Sequence, residues 1–338
     1  MKVAVLGATG FTGEKIVEIL VSHPEAEIVY LASRTPKATP YSSIFPRFLN
    51  KADINCETLN KEKATDLSDV VFLALPHTVS MQMVPFFLKK KKKVIDLSAD
   101  YRLTSASEYK KYYKKAHRDK SNLKKAVYGL PELFEKKIRN ASLIANPGCY
   151  PTSVIIPLYP LLKEIAGLKD IIVDSKSSIT GAGRKALIEY HYSNISGNIW
   201  AYKPFNHQHM PEIESILRRV TAKSPNICFV PHVAGIEAGI YSTIYLRLQP
   251  GFKYKEKDFK TIYRKYYSAS PFVRIKDELP VLKDVVGSNF CDIGFRIDSQ
   301  KKTAVVACAI DNLFKGAAGT AVQNMNIIFG RNQTLGLV

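Results

Sequence analysis

Val3-Ala4-Val5-Leu6-Gly7-Ala8-Thr9-Gly10-Phe11-Thr12-Gly13 decides how the first half of this chain is read. A short buried strand runs straight into a GxxGxxG loop, and an amphipathic helix, Thr12 to Val21, follows at once. Glycines there allow a tight turn and let backbone N–H groups approach a pyrophosphate at a helix N-terminus. The spacing is not the strict GxGxxG, and an ordinary turn is the competing reading. Its place between strand and helix favours a dinucleotide, with Gly7, Thr9, Gly10, Phe11, Thr12 and Gly13 as candidate contacts. Further out, Glu27 to Ala32, Val70 to Leu75 (ending at Pro76-His77) and Lys93 to Leu97 read as strands, with a helix from Ser80 to Leu88. Short apolar strands alternating with helices predict an α/β doubly wound parallel sheet. After the second strand, where NAD-binding chains commonly place an acid, stand Ser33-Arg34-Thr35. A guanidinium flanked by hydroxyls suits the 2′-phosphate of NADP, against the plainer reading of a surface arginine.

The character changes after Cys149. Ile171 to Ser178, Ile227 to Pro231, Gly239 to Leu248 and Ala304 to Ile310 read as strands of a larger mixed sheet, and Gly316 to Phe329 as a helix. The expected division is 1–148 with 316–338 for the dinucleotide and 149–315 for catalysis and oligomer contacts, the last helix returning to the first domain.

Five cysteines without a CxxC pair argue against a disulfide framework or a zinc site, and no metal is expected. Four lie in apolar or strand-like contexts; Cys149 lies in Asn146-Pro147-Gly148-Cys149-Tyr150-Pro151, before an apolar helix from Val154 to Leu162. A helix start favours thiolate, the nucleophilic form. Asn146 could steady an oxyanion there. His207-Gln208-His209 offers two imidazoles two residues apart, better read as a proton shuttle than as a metal pair lacking a third ligand. Ser178-Ile179-Thr180-Gly181-Ala182-Gly183-Arg184-Lys185 combines hydroxyls, glycines and cations, as a nest for a substrate or cofactor phosphate would, or as a plain basic turn.

The net charge of +19 lies in lysine runs without a nucleic-acid motif and reads mainly as solvated surface, so no nucleic-acid partner is expected. No apolar run reaches the ~20 residues of a membrane helix, and the start of the chain lacks a signal-peptide pattern; a soluble, cytoplasmic protein is expected.

Taken together, these segments resemble the N-acetyl-gamma-glutamyl-phosphate reductase family of arginine biosynthesis, relatives of aspartate-semialdehyde dehydrogenase. The Gly-loop, Leu75-Pro76-His77, Asp96 to Leu103, Val127 to Leu133, Asn146 to Ser153, Thr180 to Arg184, His207 to Ile213 and Asp311 to Gly319 carry the resemblance, in family order along essentially the whole chain. It implies a Rossmann domain plus a central α+β catalytic domain, a homodimer or homotetramer, and NADP(H) as cofactor. It implies an acyl phosphate substrate, a thioester on Cys149, and His209 as acid–base partner with His207 as fallback. Pro76, Gly181, Gly183 and Asn312 are implied cofactor contacts; Ser178, Arg184, Lys185 and Glu212 are implied substrate contacts. One departure stands out: where the family usually has arginine after Pro231-His232, this chain has Ala238 beside Glu237. A lysine-pathway relative acting on aminoadipyl phosphate, free or carrier-bound, is the close alternative; a basic nucleic-acid-binding protein is a remote one.

Overall fold

Val3 to Leu6 have no solvent exposure, and they complete the first strand, β1 (Lys2–Leu6). In the computed structural model, which describes residues 1–34, 37–168, 170–184, 186–249 and 251–338, β1 lies near the middle of an eight-stranded sheet. Its neighbours are β2 (Glu27–Ser33), β3 (Thr39–Pro40), β4 (Asn55–Thr58), β5 (Val70–Leu73), β6 (Lys93–Asp96), β7 (Val127–Tyr128) and β8 (Leu143–Ala145). The order is β3-β4-β2-β1-β5-β6-β8-β7, parallel except for β3 against β4. Strands buried on both faces are what a parallel sheet covered by helices requires, and β5 is buried at every position. The sheet belongs to a unit made of Met1–Pro147 and Ala317–Val338.

The helix Gly319–Ile328 is part of that unit and packs against the helices Phe11–Val21 and Pro131–Ile138. Its buried amides are bonded: Asn324 Nδ2 donates to Gly129 O at 2.8 Å, and Asn326 Oδ1 lies 3.0 Å from His23 Nε2.

The second unit is Gly148–Gly316. Its seven strands are β9 (Asp170–Ser178), β10 (Ile199–Ala201), β11 (Asn226–Ala234), β12 (Ile240–Arg247), β13 (Val273–Ile275), β14 (Cys291–Asp298) and β15 (Thr303–Ile310). They form a mixed sheet in the order β10-β11-β9-β12-β15-β14-β13. The helix Cys149–Glu164 packs against β12 and β15 and against the helices Met210–Thr221 and Glu256–Tyr267. Pro160 has no N–H to give Ile156 O, and the Tyr267 hydroxyl supplies the missing bond at 2.6 Å.

Both expected sheets are present. Several bounds differ from the sequence reading by a few residues, two helix starts among them. The helix expected from Val154 starts at Cys149, because Pro151 falls in its first turn, where no N–H is needed. The last helix is preceded by a wider π-helical stretch, Phe314–Ala318.

Candidate active site

Gly148 caps the Cys149–Glu164 helix in extended conformation, with no side chain capping it, so Cys149 occupies its first turn. Glu212 Oε1 accepts the Gly148 N–H at 2.9 Å. That carboxylate is buried in the first turn of the Met210–Thr221 helix and thereby ties the two helix starts together. Gly316 approaches from the other side. A Cβ added there would sit 2.8 Å from Cys149 Cβ, so only glycine fits without displacing the thiol's backbone.

Cys149 is partly exposed and opens onto a cavity of about 240 Å³, which Ser178, Gly181, Lys203, His207 and His209 also line. Tyr150, Tyr190 and Tyr202 supply aromatic walls.

The two histidines differ in what they can do. His207 is buried, and its Nδ1 accepts the His209 backbone N–H at 3.1 Å. Its other nitrogen, Nε2, lies 3.2 Å from Tyr202 Oη. Tyr202 donates its hydroxyl hydrogen to Tyr150 Oη at 3.3 Å, and Tyr150 donates to the His232 carbonyl at 3.0 Å. With both hydroxyl hydrogens so directed, Nε2 of His207 must be the donor to Tyr202. Burial, helped by the charge of Lys203, pushes the imidazole down to about 4. His207 is therefore a neutral link in a chain that ends on a carbonyl. His209 shares the cavity with Cys149 and stacks edge-on against Tyr150 and His207.

The turn after β9 is built from internal bonds. Ser178 Oγ donates to Asn312 Oδ1 at 2.9 Å, Asn312 Nδ2 donates to Thr180 Oγ1 at 2.9 Å, and Gly239 N donates to Asn312 Oδ1 at 2.6 Å. Asn312, expected to touch cofactor, is buried and braces this turn. Gly181 lines the cavity, while Gly183, with φ at +84°, and the exposed Arg184 lie outside its lining. Lys185 lies outside the described residues. Ala238 and Glu237 are not lining residues either.

Two further expected site residues have partners within the protein. Asn146 is fully buried; its Nδ2 donates to Ala317 O at 3.0 Å and its Oδ1 accepts from Asn324 at 3.1 Å. That side chain braces its turn and is not among the lining residues of the Cys149 cavity. Glu212 likewise holds the nucleophile turn instead of facing the cavity.

In the other unit the glycine loop has the shape expected of it. Gly7 has φ at +90°, and a Cβ there would meet Ala74 O at 2.1 Å; one on Gly13 would meet Gly7 O at 2.1 Å. Both need glycine. Gly10 caps the helix Phe11–Val21 without a side-chain cap, and a helix start of this kind suits an anion. These residues fit a dinucleotide's pyrophosphate. Ser33 ends β2, half-buried, and Arg34 follows it, exposed; Thr35 lies outside the described residues. Pro76 is exposed in the loop after β5. Buried Asp100 fixes that loop by accepting N–H bonds from Thr78 at 2.9 Å and Met81 at 3.0 Å.

Residues 2–141 match the model of the semialdehyde dehydrogenase NAD binding domain, and residues 149–312 that of the semialdehyde dehydrogenase dimerisation domain. An N-acetyl-gamma-glutamyl-phosphate reductase of Citrifermentans bemidjiense is 46% identical over 100% of this chain and 98% of its own. The chain belongs to the N-acetyl-gamma-glutamyl-phosphate reductase family. A reductase of the same name from Alkaliphilus metalliredigens is 43% identical at the same coverage. In fold, the chain of this family member is similar to aspartate semialdehyde dehydrogenase II of Vibrio cholerae (TM-score 0.73, 18% identity, 97% and 98% of the two chains covered). It is similar also to the Candida albicans aspartate semialdehyde dehydrogenase with NADP (TM-score 0.71, 19% identity, 98% and 99% covered). No helix among the described residues is long and apolar enough to cross a membrane.

Tyr202, Lys203 and Gly316 were not among the residues singled out from sequence. Gly316 lay inside a quoted motif, and its glycine was the available signal. Tyr202-Lys203 gave none, because the short strand β10 before it has too few residues to show a period.

Proposed function

We propose that this reductase-family chain converts N-acetyl-gamma-glutamyl phosphate to N-acetylglutamate semialdehyde and phosphate, with NADPH as donor and a thioester on Cys149. The observation that carries the reading is a partly exposed thiol in a helix's first turn, sharing one cavity with an imidazole, His209. The first-turn N–H groups favour the thiolate, which attacks the acyl carbon and expels phosphate. His209 takes the thiol proton and returns one to the oxygen that develops negative charge. When bound, the nicotinamide supplies the hydride that turns the thioester into aldehyde. Collapse then restores the thiol. His207, Glu212, Asn312 and Gly316 keep that geometry without touching the acyl group.

Gly7, Thr9, Gly10, Phe11, Thr12, Gly13 and Pro76 would hold the dinucleotide, and Ser33 with Arg34 its 2′-phosphate. Ser178 and Gly181 would frame an anion on the polar side of the Cys149 cavity. The assignment gives 1–148 with 316–338 to the cofactor and 149–315 to chemistry and oligomer contacts. A homodimer or homotetramer in the cytoplasm suits a match to a dimerisation domain and the absence, among the described residues, of a membrane-length helix.

The deciding assay is phosphate-dependent NADP⁺ reduction with N-acetylglutamate semialdehyde, run beside aminoadipate semialdehyde. The reading expects turnover with the first. Turnover with aminoadipate semialdehyde alone would move the chain to the lysine-pathway substrate.

A further inference from the structure

One residue that lines the Cys149 cavity, the exposed Lys203, is a cation that the reaction, as derived, leaves idle. Among the cavity's described lining residues Lys203 is the only lysine or arginine, and none is a carboxylate. The Lys203 ammonium makes no hydrogen bond or ion pair among the described residues. The loop that presents it is held in an unfavourable backbone form, with φ at +47° for Lys203 and +59° for Phe205. Side chains with a Cβ disfavour that region, so it persists only where neighbours impose it. Here Tyr202 N donates to Pro231 O at 3.0 Å, and the Tyr202 hydroxyl is fixed by His207 and Tyr150. The loop is pinned, and it places an exposed lysine among the residues that line the cavity.

The cavity's two polar walls are separate. Trp200 pairs with Val233, and Val233 with Ser177, so β10 and β9 lie on either side of β11. Two strand spacings put the Lys203 side roughly 10 Å from the Ser178–Ala182 turn. A phosphate leaving the acyl carbon and a carboxylate at the far end of the acyl chain need two such places.

We propose that Lys203 binds the carboxylate of the substrate and sets the preference for an acyl phosphate that carries one. The assignment rests on the activity proposed above. In the oxidative direction aldehyde and phosphate are separate substrates, so the two anions can be told apart. The experiment uses full-length wild type, Lys203→Met and Lys203→Arg with N-acetylglutamate semialdehyde and with 4-acetamidobutanal, the same aldehyde lacking the carboxylate. Wild type should prefer the carboxylate-bearing aldehyde in kcat/KM. Lys203→Met should lose about tenfold of that preference, the scale of one charge-assisted contact. The loss should fall on KM for this aldehyde, leave KM for phosphate and turnover of 4-acetamidobutanal unchanged, and be largely restored in Lys203→Arg. A rise in KM for phosphate, or an undiminished preference in Lys203→Met, overturns the assignment. Wild type that oxidises neither aldehyde refutes the activity itself, before Lys203 is changed.

Discussion

Gly316→Ala is the substitution whose effect the geometry fixes most closely. The new methyl would lie 2.8 Å from Cys149 Cβ, 3.2 Å from its Cα and 3.3 Å from Asp311 O. Carbon atoms rest at about 3.5–4.0 Å, so the first contact asks for a shift of about 1 Å. None of these atoms is the flexible end of a side chain, and Gly316 is itself held by its N–H bond to Asp311 O at 2.9 Å. The start of the nucleophile helix must therefore move. Overpacking of this kind costs about 1–3 kcal/mol, while alanine gains up to about 1 kcal/mol over glycine in helical backbone. Net destabilisation should stay below about 3 kcal/mol. Misplacing a reacting atom by about 1 Å can cost ~10²-fold in rate. The expected result is a folded variant whose single-turnover rate of acyl transfer falls about 100-fold, with cofactor affinity unchanged by fluorescence titration. A rate within about threefold of wild type would refute the claim that Gly316 sets the thiol's position.

Four other outcomes are expected. Cys149→Ser should retain less than about one hundredth of wild-type turnover while binding NADP as before, since an unactivated hydroxyl is a poor nucleophile; higher residual activity would rule out thiol catalysis. Arg34→Asp should weaken NADP binding by about 1–3 kcal/mol and leave NAD little changed, as paired titrations would show. His209→Asn should slow single-turnover acyl transfer about 10²–10⁴-fold, against a much smaller effect of His207→Asn, whose imidazole is tied to Tyr202. His207 instead makes its mark on stability against pH. Its folded value, depressed to about 4 chiefly by burial, lies below the ordinary 6.5, so the unfolded chain takes up the proton first. Stability from this group is lost as pH falls from 6.5 toward 4, by about 2 kcal/mol at pH 5. Asp96, pushed up to about 6 first by burial, acts with the opposite sign, so wild type and His207→Asn are compared with each other at pH 7 and pH 5 by urea denaturation.

What could be read from the chain is what local chemistry enforces. Gly7 and Gly13 are legible because only glycine tolerates those approaches, and the Cys149 turn because a lone thiol among prolines and glycine is unusual. The direction in which a polar side chain is used was not legible. Asn146, Glu212 and Asn312 stand in the expected motifs, yet each is spent on a neighbour's backbone or side chain, which only the fold reveals. The chain also does not announce that Tyr202 and Lys203, four to five residues before His207, share a cavity with a thiol more than fifty residues away. Pairing of β10 with β11 creates that proximity.

The central claim is a covalent acyl group on Cys149. Mixing the protein with N-acetyl-gamma-glutamyl phosphate in the absence of NADPH, quenching in acid and measuring the intact mass tests it directly. The account predicts a mass gain of one N-acetylglutamyl group, localised by digestion to the peptide bearing Cys149, absent from Cys149→Ser and discharged when NADPH is added. Turnover with no such adduct at any quench time, or an adduct mapping to another residue, would contradict it.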